Sequence, residues 1–216
     1  MNKSSLDDII IIGITGGISS GKSEVCRIIK SEGFTVIDTD FISKNILNTS
    51  DYIKKLLIAK FGEDIYLDSG SINIQLLSKK VFSEDQQSNS NLEYLNSIVH
   101  PLVIDTMIEE IEQKASEGSK LIFVESALIF EAELDEGFDY IVDVDTIEDI
   151  RVLRFIEKTG LTKQDFELRN KKQLSAQYKR ENSDFVIENN KDFENLMQST
   201  KLILEIIKFL PKKQIL

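Results

Sequence analysis

Short apolar runs alternate with longer segments of helical periodicity along the 216-residue chain. Alternation of this kind predicts β-strands joined by crossover helices, which is how parallel sheets are built. The runs that are short and β-like enough to form strands cover residues 9–14, 35–37, 121–124, 140–144 and 185–187. The pattern therefore predicts an α/β fold around a five-stranded parallel sheet.

One stretch interrupts this alternation. Residues 41–119 read as helix throughout, with apolar side chains recurring every three or four positions, and residues 85–91 are the most loop-like part. The stretch is longer than one crossover helix requires. We therefore predict that it forms a helical insertion.

A glycine-rich segment follows the first apolar run. Gly16 to Ser23 reads G-x4-G-K-S and leads into a helix-like segment, 22–32. Glycines allow successive backbone N–H groups to converge on an anion, and the helix start adds its positive dipole end. Lys22 would bridge the β- and γ-phosphates of a nucleotide, and the Ser23 hydroxyl would bind Mg²⁺. The alternative is a turn that merely caps a helix, but the strand, loop and helix context favours a phosphate loop.

Charge is distributed unevenly along the chain. The net charge is −11, which argues against general nucleic-acid or membrane-surface binding, yet residues 146–180 hold nine basic residues against five acidic ones, a local balance of +4. We call residues 146–180 the basic block. Its charges suit a solvated helix face, or a lid that brings cations over the γ-phosphate. The phosphate loop favours the lid.

Composition narrows the class further. The single cysteine, Cys26, falls on the apolar side of the helix after the loop, so we expect a core residue. Residues 1–8 are polar and acidic, and the apolar run after them is too short for a membrane helix. These features predict a cytoplasmic protein, and no obligate protein partner is implied.

Carboxylates follow two of the predicted strands. Asp38 ends the second strand, where it could accept a proton from an acceptor hydroxyl. Asp40 could belong to the same site or simply N-cap the next helix. Glu125 ends the third strand and is either a Walker-B-type acid that reaches Mg²⁺ through water or an exposed strand-end acid. His100, the only histidine, precedes Pro101 and is explained equally well as a helix cap, a kink or a ligand contact.

Six segments together resemble the dephospho-CoA kinases over nearly the whole chain. They are GITGGISSGKS at 13–23, VIDTD at 36–40, IVHPL at 98–102, ALIFE at 127–131, 169–173, and SDFVIEN at 183–189. The resemblance implies a three-layer P-loop kinase-type fold with a helical substrate-binding insertion and a helical lid. It also implies transfer of the ATP γ-phosphate to the ribose 3'-hydroxyl of dephospho-CoA, with Mg²⁺.

The resemblance divides the chain and assigns residues. It implies one domain over 1–216, made of a nucleotide-binding core (8–40, 120–145 and 181–210), a CoA-binding insertion (41–119) and a lid (146–180). The implied catalytic residues are Asp38 as base, Lys22 and Arg154. The implied ATP-binding residues are Gly17, Ile18, Ser19, Ser20, Gly21, Lys22, Ser23, Glu24, Lys158 and Asn189. The implied acceptor-binding residues are Asp40, Lys44, His100, Pro101, Phe130, Glu131 and Arg169.

Several positions depart from the family pattern. Ser19 replaces a usual glycine and Glu24 a usual small hydroxyl residue, and both act mainly through their backbone. Lys44 and Lys158 stand where arginine is common, and lysine lacks the bidentate fork. Ile104 also replaces a usual basic residue, and with Lys44 and Lys158 it keeps open a binding protein that has lost catalysis. Another P-loop kinase stays open as well, because an Asp near the loop is common to several of them.

Overall fold

A computed structural model describes residues 9–213, so the expectation for residues 1–8 lies outside the described residues. The described residues divide into two compact units, one made of 9–38 with 110–213 and the other of Thr39–Glu109. The described helices are α1 (Lys22–Ser31), α2 (Thr39–Thr49), α3 (Asp51–Phe61), α4 (Ile74–Val81), α5 (Gln86–Ser116), α6 (Glu148–Thr159), α7 (Lys163–Asn170), α8 (Ala176–Asn182) and α9 (Phe193–Ile207).

The first unit is built on a five-stranded parallel sheet. Its strands are β1 (Ile10–Thr15), β2 (Thr35–Asp38), β3 (Leu121–Glu125), β4 (Tyr140–Asp145) and β5 (Phe185–Glu188), in the order β2-β3-β1-β4-β5. All five predicted strands are confirmed. Each extends one residue beyond the predicted end, and that residue is polar in every strand: Thr15, Asp38, Glu125, Asp145 and Glu188. The carboxyl edge of the sheet is therefore a row of polar side chains.

Both faces of the central strand are covered. Ile12 and Ile14 belong to a buried cluster with residues of α1 and α9, including Val25 and Leu204. Gly13 points to the opposite face, because side chains alternate along a strand. A Cβ at Gly13 would come 2.6 Å from Ile129, so the segment after β3 packs directly on that face. The predicted core position of Cys26 is confirmed, since the residue is 1% exposed and lies in the first cluster.

The second unit is helical, but not throughout as predicted. Residues 62–73 form a short 3-10 turn and an isolated antiparallel bridge between Tyr66 and Ile72. Two polar contacts fix this segment: the Tyr66 hydroxyl donates to the Leu47 carbonyl (2.8 Å), and the Ile72 amide donates to Asn48 Oδ1 (3.0 Å). Gly62 and Gly70 both take positive φ values, which end helical geometry locally.

The predicted loop at 85–91 is also wrong. Helix α5 begins at Gln86, and Asp85 Oδ1 accepts hydrogen bonds from the amides of Gln87 (2.9 Å) and Ser88 (2.7 Å). Asp85 thus satisfies amides of the first helical turn, and the polar run after it is helical. Within residues 9–213 no helix is both long enough and apolar enough to cross a membrane.

Candidate active site

The phosphate loop has the backbone geometry that its glycines permit. Gly16 has φ 147° and Gly21 has φ 99°, and a Cβ at Gly16 would come 2.5 Å from the Val144 carbonyl oxygen. Ser19 also has a positive φ, 59°, although it carries a side chain. The departure at Ser19 therefore falls on a position whose conformation suits glycine.

Two side chains at the start of α1 are the ones for which the sequence predicts phosphate and Mg²⁺ binding. Lys22 is 8% exposed, and its Nζ donates to the carbonyls of Gly16 (2.9 Å) and Gly17 (3.3 Å). The Ser23 hydroxyl donates to Glu125 Oε1 at 2.7 Å. Hydrogen bonds thus hold the Lys22 ammonium against the first half of the loop and the Ser23 hydroxyl against the end of β3.

The Ser20 carbonyl is the main attachment point of the loop. It accepts from Thr146 Oγ1 (2.8 Å), Asn189 Nδ2 (2.8 Å) and Arg154 Nη1 (3.4 Å). Arg154 Nη2 also donates to the Asn189 carbonyl at 3.2 Å. Two residues implied by the resemblance, Arg154 and Asn189, therefore lie against the loop. Asn189 directly follows β5 in the chain.

Acidic side chains line the neighbouring strand ends. Asp38 of β2 is the register partner of Glu125 of β3, and Glu125 is 5% exposed. Helix α2 begins at Thr39, so Asp40 lies inside the first turn and the expectation that it N-caps the helix is wrong. The half-buried Asp38 stands next to the carboxylate that holds Ser23.

The donor set suits magnesium. Ser23 and Glu125 supply oxygen atoms, the ligands that Mg²⁺ prefers, and they are already 2.7 Å apart. Among residues 9–213 no group of three or more His, Cys, Asp or Glu could hold a metal ion. A magnesium ion here would therefore take most of its ligands from nucleotide phosphates and water, as is usual for this ion.

Asp143 is a buried acid that the sequence did not single out. It lies in β4, two residues before the end of the strand and opposite Thr15 in register, and is 2% exposed. Burial raises the pKa of Asp143 to about 7, and the neighbouring Asp145 adds to the rise, while Lys179 and Lys22 oppose it. The protonated form is therefore favoured well above the usual range of an aspartate.

Arg151 is a second residue that the sequence did not assign to the site. It is 4% exposed, its Nε donates to the Thr146 carbonyl (3.1 Å), and its Nη1 donates to Asn170 Oδ1 (2.9 Å). A Cβ at Gly17 would come 2.6 Å from Arg151 Nη1, so the guanidinium lies directly on the phosphate loop. Charge alone does not distinguish Arg151 from the other eight basic residues of the block.

Glu131 and Phe130 lie under the basic block. Glu131 Oε1 accepts from Lys179 Nζ (2.8 Å) and from the Leu174 amide (2.9 Å), and Lys179 is 0% exposed. The Phe130 ring packs edge-on against Tyr178, with centroids 5.8 Å apart. Both residues thus contact the stretch 174–179, and their acceptor-binding role stays a prediction.

The other implied residues of this unit occupy varied environments. Arg169 Nη1 donates to the Asp165 carbonyl (2.9 Å), its guanidinium lies 5.5 Å from the Phe155 ring centroid, and burial lowers its pKa. Glu24 pairs with Arg27 on the exposed side of α1. Lys158 is exposed near the end of α6.

The remaining implied residues belong to the second unit. Asp40 and Lys44 are exposed on α2. His100 and Pro101 lie inside α5, so the helix-cap alternative for His100 is wrong, while the kink and the ligand contact stay predictions. His100 is half-buried, and burial lowers its pKa, which favours the neutral imidazole. The acceptor-binding role of these four residues stays a prediction.

A sequence profile of the dephospho-CoA kinases matches residues 10–195. The chain belongs to the dephospho-CoA kinase family. A dephospho-CoA kinase of Corynebacterium efficiens is 36% identical over 197 residues, which cover 91% of this chain and 96% of that protein. A dephospho-CoA kinase of Arabidopsis thaliana is 34% identical over 197 residues, covering 91% of this chain and 83% of the relative.

Solved structures agree with the fold. A Thermus thermophilus protein superposes with a TM-score of 0.75 at 28% identity, covering 94% of this chain and 99% of the other. The dephospho-CoA kinase of Campylobacter jejuni gives 0.66 at 24% identity, covering 92% and 97%. A shikimate kinase of Bacteroides thetaiotaomicron gives 0.51 at 11% identity, covering 93% and 99%, which shows a shared fold. The predicted P-loop kinase fold is confirmed, and the dephospho-CoA kinase family is established for this chain.

Proposed function

We propose that this protein transfers the γ-phosphate of ATP to the ribose 3'-hydroxyl of dephospho-CoA, giving ADP and coenzyme A. The family supports a kinase of this acceptor. The observation that carries the proposal is the pairing of Asp38 with Glu125, because Glu125 also holds Ser23 of the phosphate loop. An acid able to take a hydroxyl proton thus stands at the same edge of the sheet as the loop, with β3 between their two strands.

The proposed chemistry assigns one task to each group. Asp38 accepts the proton of the 3'-hydroxyl while the hydroxyl oxygen bonds to the γ-phosphorus. The bond between that phosphorus and the oxygen of ADP breaks at the same time. Lys22 and Arg154 stabilise the charge that develops on the transferred group. General-base assistance of the kind assigned to Asp38 typically raises the reaction rate about 100- to 10,000-fold.

Magnesium is proposed at Ser23, with Glu125 bound through water. Ser23 and Glu125 would hold the ion, which would supply positive charge beside the nucleotide phosphates. The Glu125 carboxylate orients the Ser23 hydroxyl, whose hydrogen bond of 2.7 Å fixes its direction. Acceptor binding is assigned, by the family resemblance, to Asp40, Lys44, His100, Pro101, Phe130, Glu131 and Arg169.

An acceptor-dependent ADP assay tests the proposal. Purified protein with Mg-ATP should release ADP when dephospho-CoA is added and not when uridine or shikimate is added. Asp38→Asn should lower kcat at least about 100-fold while ATP still binds by calorimetry. The matched control is Asp105→Asn, an exposed acid of α5, which should keep full activity. Full activity of Asp38→Asn would refute the base, and tight binding of both substrates without product would favour a protein that has lost catalysis.

A further inference from the structure

We propose that Gln173 is a positioning residue that, together with Arg151 and Asn170, holds the first half of the phosphate loop for phosphoryl transfer. The inference rests on the proposed function. It concerns two loop residues, Gly17 and Ile18, that the basic block contacts from outside the sheet.

The first contact is a hydrogen bond to the loop backbone. Gln173 Oε1 accepts from the Ile18 amide at 2.9 Å, across 155 positions of sequence. Gln173 is half-buried, and the next residue is tied down as well, since the Leu174 amide donates to Glu131 Oε1 at 2.9 Å. The side chain that meets Ile18 is therefore presented by a fixed backbone rather than by a solvated loop.

The second contact is the guanidinium of Arg151. Its planar group sits against Gly17, where any β-carbon would come 2.6 Å from Nη1. Asn170 Oδ1 and the Thr146 carbonyl hold two of its nitrogens, and Cζ lies 5.4 Å from the centroid of the Phe166 ring, which is 0% exposed. A buried charge needs such partners, so Arg151 is set in one orientation.

These contacts fall on the half of the loop that matters for the γ-phosphate. Lys22, which in this motif reaches the β- and γ-phosphates, has its Nζ 2.9 Å from the Gly16 carbonyl and 3.3 Å from that of Gly17. The Ser20 carbonyl in the other half of the loop is held by Thr146, Asn189 and Arg154. Of these three described residues, only Thr146 also forms a hydrogen bond with Arg151. Loosening Gly17 and Ile18 should therefore act on transfer more than on nucleotide binding.

The two loop contacts are also linked through one backbone turn. Asn170 ends α7, and Gln173 follows it within the turn that leads to α8. The Gln173 amide donates to the Asn170 carbonyl at 3.1 Å, so the two side chains are carried by one backbone turn. A displacement of this turn would release both loop contacts at once.

The test removes the acceptor atom at Gln173 while keeping the length of its side chain. Gln173→Met should lower kcat roughly 3- to 10-fold, the usual net worth of one hydrogen bond, with the KM for ATP within about twofold. Asn170→Ala, which removes the acceptor of the Arg151 Nη1 hydrogen bond, should lower kcat in the same range. The matched control is Gln177→Met, an exposed glutamine on α8 that pairs with Glu181 (2.8 Å) and should leave kcat unchanged.

A second readout does not depend on the acceptor. Hydrogen exchange of the Ile18 amide, followed by NMR without nucleotide, should accelerate in Gln173→Met, stay slow in Gln173→Glu, which keeps an acceptor at the same reach, and stay slow in the Gln177 control. A melting temperature within about 2 °C of the parent protein would show that Gln173→Met is folded.

The outcomes separate this inference from the proposed function. Unchanged kcat and unchanged Ile18 exchange in Gln173→Met would overturn the inference, and so would a raised kcat or a change confined to the KM for ATP. If the parent protein releases no ADP with dephospho-CoA, the proposed function fails. The Ile18 exchange rates then decide the loop contact by themselves.

Discussion

Lys179→Met should be among the most destabilising single changes in the first unit. The lysine is 0% exposed, and its Nζ donates to the Ala127 carbonyl (2.7 Å) and to Glu131 Oε1 (2.8 Å). Methionine matches the length of the side chain but leaves the Glu131 carboxylate with the Leu174 amide as its remaining identified donor. Glu131 Oε2 is already buried without a hydrogen-bond partner, so no contact of that oxygen offsets the loss of the lysine.

The magnitude follows from the loss of one member of a buried ion pair. Such a loss typically costs about 3–5 kcal/mol of unfolding free energy, because the other charge stays buried without compensation. For a chain of this size each kcal/mol corresponds to about 2–4 °C in Tm, so the melting temperature should fall by about 10 °C. Urea unfolding followed by circular dichroism measures the free energy, and a thermal scan measures Tm.

A double variant distinguishes the lost charge pair from lost packing. Glu131→Gln removes the remaining charge and keeps an oxygen for the Leu174 amide, so Lys179→Met with Glu131→Gln retains mainly the cost of the unpaired Ala127 carbonyl, about 1–3 kcal/mol. The double variant should therefore be about 2 kcal/mol more stable than Lys179→Met alone. A double variant no more stable than Lys179→Met would refute the reasoning.

The matched control is an exposed lysine of the same basic block. Lys163 on α7 faces Glu167 at 3.9 Å, and the lysine side chain is 66% exposed. Lys163→Met should change the free energy of unfolding by less than about 0.5 kcal/mol. A similar loss in both lysine variants would mean that burial of the ion pair is not what matters.

Further predictions concern the carboxyl edge and the loop. Asp143 has a folded-state pKa raised to about 7, so its contribution to stability is present at low pH and is lost as pH rises toward and through 7. Asp143→Asn should therefore gain stability relative to the parent by roughly 2–4 kcal/mol between pH 4 and pH 8, measured by urea unfolding; a pH-independent difference would contradict this. Ser19→Gly should raise Tm by about 2–8 °C, because Ser19 has φ 59° and a left-handed side-chain residue is strained by about 1–2 kcal/mol; a lower Tm would refute the strain. Asn189→Leu should weaken ATP binding about tenfold by calorimetry, because its amide holds the Ser20 carbonyl at 2.8 Å; an unchanged Kd would remove that role.

The sequence predicted the sheet because its strands are local. Each strand is four to six residues long and mostly apolar, and its last residue is polar. The phosphate loop was equally readable, since its glycines, Lys22 and Ser23 are contiguous. Asp38 and Glu125 could be placed at one edge because parallel strands end together.

The residues that the sequence did not assign to the site act across long separations. Gln173 meets Ile18 across 155 positions, and Lys179 meets the Ala127 carbonyl across 52. A lysine on a polar helix such as α8 is usually solvated, and no pattern in its neighbours indicates burial. The nearest signal for Arg151 is its place beside Val152 and Phe155 on the buried side of α6.

The helical insertion was predicted in outline and not in detail. The non-helical segment 62–73 depends on Gly62, Gly70 and the tertiary bond from Tyr66 to Leu47, which periodicity does not detect. The early start of α5 depends on Asp85, whose carboxylate accepts from two amides of the first turn. The two errors run in opposite directions, since residues 62–73 were predicted to be helical and residues 85–91 to be a loop. Both depend on side-chain hydrogen bonds to the backbone, which compete with or complete a helix and are not visible in the apolar pattern.

The attachment of the Ser20 carbonyl limits how the loop can be transplanted. Donors from three elements distant in sequence converge on this one oxygen: Thr146 after β4, Arg154 on α6 and Asn189 after β5. The eight residues from Gly16 to Ser23 are therefore a recognisable motif but not an autonomous one. An engineer who grafts them into another α/β protein would need to transfer the three donors as well, or the loop would arrive without the supports that shape it.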